Sequence, residues 1–268
     1  MRRLPLLFVL ASLSLVLNGC AGILDSAPSG SSAAVNYING TITTGPMGKM
    51  PHLEQRGVHR IGIVVDMKPE CALQTVGITM FGNRTVLIAS PSLITDTDVV
   101  GLFRDAFASR TRIDLVDLTA AKAQILPSLK ISSWDGSSSL ANSAALSAQL
   151  ADCKARGIDT LMIVREQRLC DFMFGTNQIF EVKGVYNRLG QCEVYGGFDI
   201  RLIDVNTRKQ LPHAAYVQAA SIPVSLGTWQ PQFDKFTEEE QNRIREKLRQ
   251  VFADNVQESL LMLKATAR

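Results

Sequence analysis

Asp159-Thr160-Leu161-Met162-Ile163-Val164 decides how this chain is read. The run after Thr160 is wholly apolar and too short for a helix, the pattern of a strand covered on both faces. Just upstream, Leu146, Leu150 and Cys153 recur at helical spacing. Gly157 stands where a helix ends in a left-handed residue. Earlier in the chain, Ile61-Gly62-Ile63-Val64-Val65-Asp66 is a second strand of high β-branched density. Between the two strands, Thr95-Asp96-Thr97-Asp98 supplies a helix cap and early acidic charge. Val99, Leu102, Phe103 and Phe107 then mark one helical face, which closes near Arg110. Strand, helix, strand with apolar strands predicts parallel pairing beneath helices. Ile113–Leu118 reads as a short strand, Thr119 to about Gln124 as a weak helix, and Trp134–Ser139 as a loop.

Outward from this centre the pattern changes. Thr75–Phe81 and Thr85–Ala89 are extended, with Gly82-Asn83 as a hairpin turn between them. Gln178–Tyr186 is extended. Val194, Phe198, Ile200 and Leu202 alternate with Tyr195, Asp199 and Arg201, which predicts a half-buried strand. Gly196-Gly197 inside it predicts a bulge or bend. Asp204–Lys209 makes a turn, and Ala214–Ser221 returns. The chain then closes with a helix: Thr237 and Glu240 form a capping box, and Ile244, Leu248, Phe252, Val256, Leu260 and Leu263 form its apolar stripe. Its polar face mixes Glu239 and Glu246 with Arg243 and Lys247, which favours packing on the sheet over lying on a membrane. The expected class is α/β (α+β): a single mixed sheet with helices packed on it and a C-terminal amphipathic helix.

The N-terminal stretch is of another kind. Arg2 and Arg3 precede an apolar run, Leu4–Leu17, shorter than the ~20 residues of a transmembrane helix. It ends in Leu17-Asn18-Gly19-Cys20, which resembles the lipobox of bacterial lipoproteins. The resemblance implies a signal peptide over residues 1–19, cut before Cys20. It also implies a diacylglycerol on the Cys20 sulfur and an acylated new amino group. Ala21 in place of an aspartate implies an outer-membrane lipoprotein facing the periplasm. One acyl chain holds a protein only marginally, at about 0.8 kcal/mol per buried methylene, so two or three make a lasting anchor. Residues 20–58, rich in Ser, Gly, Ala, Thr and Pro, read as the lipidated cysteine and a flexible tether; in them Val35–Ile38 offers a short strand or a contact point. Residues 59–268 form the globular domain.

Composition narrows the function. Among 268 residues the formal charge is +3, and removing Arg2 and Arg3 leaves it near neutral. That argues against nucleic acid as a partner, which requires a basic face. Beyond Cys20 four cysteines remain, an even number that permits two disulfides in an exported protein. Cys170 and Cys192 lie near the ends of successive extended stretches and are expected to bridge; Cys71 with Cys153 follows by elimination. Free thiols are the alternative, and Cys153 also fits as a packed core residue. Neither C-x-x-C nor H-x-x-x-H spacing occurs, so no metal is expected, nor any cofactor.

No catalytic signature stands out. G-x-S-x-G, H-E-x-x-H and P-loop patterns do not occur. His52, His59 and His213 pair with no visible nucleophile. Asp114 and Asp117 face opposite sides of their strand, and Asp199 and Asp204 likewise point apart. Asn83-Arg84-Thr85 and Glu166-Gln167-Arg168 place polar groups at strand ends, where sheets often bind ligands.

The element order over roughly residues 60–265, with Leu202, Asp204 and Thr207 in an x-L-x-D-x-x-T turn, resembles a group of envelope proteins. The group includes the N-terminal domain of TolB, the curli secretion channel lipoprotein and the lipoprotein activators of penicillin-binding proteins. Arg208 stands where that group usually has glycine. Together these readings lead to a lipid-anchored, non-enzymatic binding or adaptor module for an envelope protein complex. The alternative is an accessory subunit of an export or secretion system that forms homo-oligomers; an undetected hydrolase ranks last.

Overall fold

Apolar runs too short for helices make a sheet, and the longer amphipathic segments cover it. The computed structural model describes residues 34–38, 41–45, 53–77, 82–89, 93–132, 137–166, 180 and 182–263. The signal peptide, Cys20, His52, Trp134, Arg168 and Cys170 lie outside the described residues, as does the side chain of His213. Among the described residues ten strands form one mixed sheet. They are β1 Ala34–Ile38, β2 Thr41–Gly45, β3 Arg60–Asp66, β4 Glu70–Val76, β5 Arg84–Ala89, β6 Asp114–Asp117, β9 Thr160–Glu166, β10 Gly184–Arg188, β11 Gln191–Asp204 and β12 Gln210–Pro223. Strands β7 Leu129–Ile131 and β8 Ser138–Leu140 make a small separate pair. The helices are α1 Asp96–Arg110, the single turn α2 Lys122–Ile125, α3 Ala144–Ala155 and α4 Glu238–Met262. An α/β fold with helices on a mixed sheet is thus what the chain adopts.

The parallel part is β6-β3-β9, with β3 pairing Asp114–Asp117 on one side and Thr160–Arg165 on the other. Strands β3 and β9 are buried along nearly their whole length, because helices lie on both faces, whereas the outer β6 is half-buried to exposed. Ile61, Ile63 and Val65 of β3 join the larger core beneath α1 and α4. Val64 joins a second core beneath α3, with Ile163 and Ile203. This alternation places the two cores on opposite faces of the sheet.

The helix signals act as read. Thr95 and Asp98 close a reciprocal capping box on α1, and Thr237 and Glu240 do the same on α4. Gly157, at φ 71°, supplies the left-handed residue after α3. The α4 stripe of Ile244, Leu248, Phe252, Val256 and Leu260 is fully buried against the sheet. There Phe252 meets Phe198 at 5.6 Å between ring centroids, and Phe198 meets Phe103 of α1 at 5.8 Å.

Several details add to or differ from the sequence expectations. The first hairpin arm runs over Glu70–Val76, and Asn83 Oδ1 accepts from Gly77 N at 2.9 Å; of the expected arm Thr75–Phe81, residues 78–81 lie outside the described residues. Part of the stretch read as a tether joins the sheet, since β1 and β2 form a hairpin on β12. The short helix Glu54–Arg56 and the buried Leu53 and Val58 also set the start of the core before residue 59. Strand β11 is buried on both faces rather than one. Its register shift falls between Arg201 and Ile203, not at Gly196-Gly197. Finally, Arg208 takes φ 58°, a left-handed position, and Asp204 Oδ1 caps its turn by accepting from Thr207 N at 2.6 Å.

Candidate functional site

Gly196-Gly197 marks the organising point of the sheet. Before it, β11 pairs with β10 through Gln191–Tyr195. After it, β11 pairs with β9 through Phe198–Asp204. The sheet therefore forks, with β10-β4-β5 on one branch and β9-β3-β6 on the other. Glycine is needed at 196 because α4 lies against it: a Cβ there would stand 2.6 Å from the Phe252 ring. Asn255 of α4 also donates its Nδ2 to the Gly196 carbonyl at 3.1 Å.

Two charged side chains fill the mouth of the fork. Glu166 ends β9 and Lys183 precedes β10; their side chains are 1% and 0% exposed. Lys183 Nζ donates to Glu166 Oε2 at 3.2 Å, to the Glu70 carbonyl at 3.1 Å and to the Lys68 carbonyl. Glu166 accepts from Lys68 N at 2.8 Å through Oε2 and from Lys183 N through Oε1. The ammonium thus spends all three donors, and both carboxylate oxygens are engaged. Burial pushes the Glu166 carboxyl above its ordinary value, against the opposing pull of Lys183 and the two backbone N–H groups. The hydrogen bonds of this pair go to the sheet and its connections. The pair stitches the β3–β4 connection to both branches of the fork.

Beside it, burial pushes the Cys71 thiol up to about 12, a shift that the Lys183 charge only partly offsets. A thiol held protonated is a poor nucleophile. Cys71, Cys153 and Cys192 are buried free thiols. Cys71 belongs to the core beneath α4 and Cys153 to the core beneath α3, on opposite faces of the sheet, so the expected Cys71–Cys153 disulfide does not form. Cys192 accepts from Asn187 Nδ2 at 3.2 Å. Its expected partner Cys170 is outside the described residues, and that pairing with it.

A second polar cluster lies on the far face of β9 and β11. Asp199 Oδ2 accepts from Arg201 Nε at 2.7 Å and from Arg165 Nη2 at 3.3 Å, and Arg201 Nη1 donates to Ser138 Oγ. A third sits at the carboxyl ends of the parallel strands, where open α/β sheets bind ligands. There Lys122 Nζ reaches Asp96 at 2.7 Å and Asp66 at 3.4 Å, and Asp96 also caps Met67 N. Partial burial lowers the Lys122 pKa, but Asp96 and Asp66 outweigh it and leave the ammonium above its ordinary value. Each cluster consists of opposite charges held to one another, without a nucleophile set against a base.

Of the residues named from sequence, Asn83 closes a turn and Glu166 is sealed in the fork. His59 donates only its backbone N–H, to Asp159 Oδ2 at 2.8 Å. Asp114 pairs with Arg60 at 2.7 Å, away from Asp117, whose Oδ1 caps Thr119 N. Among the described residues no group of His, Cys, Asp and Glu is arranged to hold a metal ion. Lys183, and the pairing of Asp199 with Arg201 and Arg165, escaped notice in the sequence, where nothing links Lys183 to Glu166 except the fold.

No family model matches the chain. Nor does any curated protein sequence. Among solved structures, a Xanthomonas campestris protein of family DUF330 is similar at a TM-score of 0.39 and 7% identity, covering 75% of this chain and 80% of that one. A PelC dodecamer from Paraburkholderia phytofirmans is similar at 0.34 and 9%, covering 85% and 97%. A hypothetical protein of Chlamydia trachomatis is similar at 0.37 and 9%, covering 76% and 97%.

Proposed function

We propose that this chain is a lipid-anchored envelope protein that binds other envelope components and catalyses no reaction. Leu17-Asn18-Gly19-Cys20, behind a basic start and a short apolar run, carries the reading. Cys20 takes the lipid, and Ala21 directs the protein to the outer membrane on its periplasmic side. The hydrogen bonding of Glu166 and Lys183 supports a binding role: these deeply buried charged groups serve the sheet rather than a substrate.

The test uses the full chain expressed in bacterial cells. Mass spectrometry of the wild-type protein should find an N-terminal peptide beginning at acylated Cys20, and the protein in the membrane fraction. Cys20→Ser should retain residues 1–19 without fatty acid. A soluble wild-type chain, or an unmodified Cys20 thiol, overturns the anchor. Affinity purification from crosslinked envelopes tests the binding half, which fails if no envelope component co-purifies.

A further inference from the structure

Strand β5 is the outer strand of its branch, with β4 on one side and no strand on the other among the described residues. Its sequence, Arg84-Thr85-Val86-Leu87-Ile88-Ala89, carries a single charge at one end and otherwise none of the usual protections of an edge. It has no proline and no lysine, and it pairs with β4 from Thr75↔Arg84 to Glu70↔Ala89 without a bulge. Val86 is 39% exposed and Leu87 53%. They lie on opposite faces: Val86 pairs with Leu73 of the larger core, Leu87 with Ala72 of the third buried cluster.

The direction of the peptide groups can be derived. Ala72 gives its N–H to the Lys183 carbonyl at 2.9 Å, on the side away from β5. In an antiparallel ladder, a residue that turns its peptide groups away faces a partner that does the same. Leu87 therefore points its N–H and C=O at the open edge, and so does Ala89, two residues on.

We propose that a second copy of this chain occupies that edge, pairing β5 with β5 antiparallel about a two-fold axis normal to the sheet, with Leu87 opposite Leu87. Such an axis keeps every side chain on its own face. Val86 then meets Ile88 of the second copy on one face, and the two Leu87 side chains meet on the other. Arg84, the one charge on the strand, falls beyond Ala89 at each end, so no like charges oppose one another. Centring the pair on Val86 instead would set Arg84 against Ile88. The strand is complementary to itself in charge and in apolar side chains, which favours a second copy over an unrelated extended peptide. The inference does not depend on the anchor and holds equally for a Cys20→Ser chain.

One strand pair buries less than the ~1,200 Å² of a stable interface, so the dimer is weak and forms in proportion to concentration. The test places a photo-crosslinking amino acid at position 89 of the full chain in cells, with position 87 left for the variants, and maps the adducts by mass spectrometry. The expected product is a dimer joined between β5 segments. Sedimentation of the detergent-solubilised full chain should show a dimer fraction that rises with concentration. Leu87→Lys, which sets two ammonium groups face to face, should abolish both signals while leaving the thermal melting curve unchanged. A second variant, Leu87→Val, should retain the dimer. An adduct to a different protein, no self-adduct, or a monomer at every concentration overturns the proposal.

Discussion

The mouth of the fork and the edge at β5 belong to one sheet, yet they handle chemistry in opposite ways. At the fork, Glu166 and Lys183 are removed from water and every polar atom finds a partner. At the edge, Val86 and Leu87 remain in water, and backbone groups point outward. Charge buried in the interior is fixed structure, whereas apolar surface at the rim is available for contact. The distinction separates what holds this fold from what it offers a partner, and the largest consequence falls at the fork. Lys183→Met leaves the Glu166 carboxylate buried without its counter-charge and strips the Lys68 and Glu70 carbonyls of a donor. Chemical denaturation should show a loss of about 3–5 kcal/mol. The double variant Lys183→Met with Glu166→Leu should recover much of it, since an apolar pair of similar volume carries no desolvation penalty. If the double variant is no better than the single, the carbonyls rather than the charge pair dominate.

The next effect tests why the fork lies at Gly196. Gly196→Ala drives a methyl group into the Phe252 ring at 2.6 Å, so either α4 lifts or the ring leaves its place beside Phe198. Overpacking of this kind costs about 1–3 kcal/mol. Combining it with Phe252→Leu should cost less than the two single changes added together, because the smaller side chain vacates the space. Additive losses in a double-mutant cycle would show that the glycine serves strand bending rather than helix approach.

How much of this was legible in the sequence follows the same division. The parallel strands, α1, α3 and α4 were readable because periodicity, caps and Gly157 are local signals. Thr237 with Glu240 announces a helix start wherever it occurs. The fork was not readable, because it depends on β11 changing partners, and a strand's sequence does not say which neighbour it has. Asp199 and Arg201 looked solvent-facing by alternation; pairing with each other and with Arg165 lets them lie buried. Thr85–Ala89 reads as extended, and its place at a rim is not in its sequence, because β-branched composition reports strand formation and not position in the sheet. Likewise Val35–Ile38 carried only the hint of a strand inside a linker-like stretch, and its place on β12 through β2 is a tertiary outcome.

The smallest effect concerns another exposed apolar residue, and it sharpens what an exposed leucine means here. The turn between β10 and β11 runs through Leu189 at φ 53° and Gly190 at φ 85°, two successive left-handed residues that match the twist of a tight hairpin. Glycine takes such a position freely, but leucine does not, and a left-handed L-residue costs about 1–2 kcal/mol. Leu189 is 73% exposed, so little packing offsets that strain. Leu189→Asn should therefore raise stability by up to about 1 kcal/mol, because asparagine tolerates the left-handed region and the burial lost is small. Unlike Leu87→Lys, it should leave self-association untouched, since it lies in a turn outside β5. If Leu189→Asn also weakened the dimer, the contact would extend beyond the strand edge to the hairpin tip. Unchanged association with a higher melting temperature would confine the contact to β5 and leave Leu189 as a turn residue that the fold tolerates.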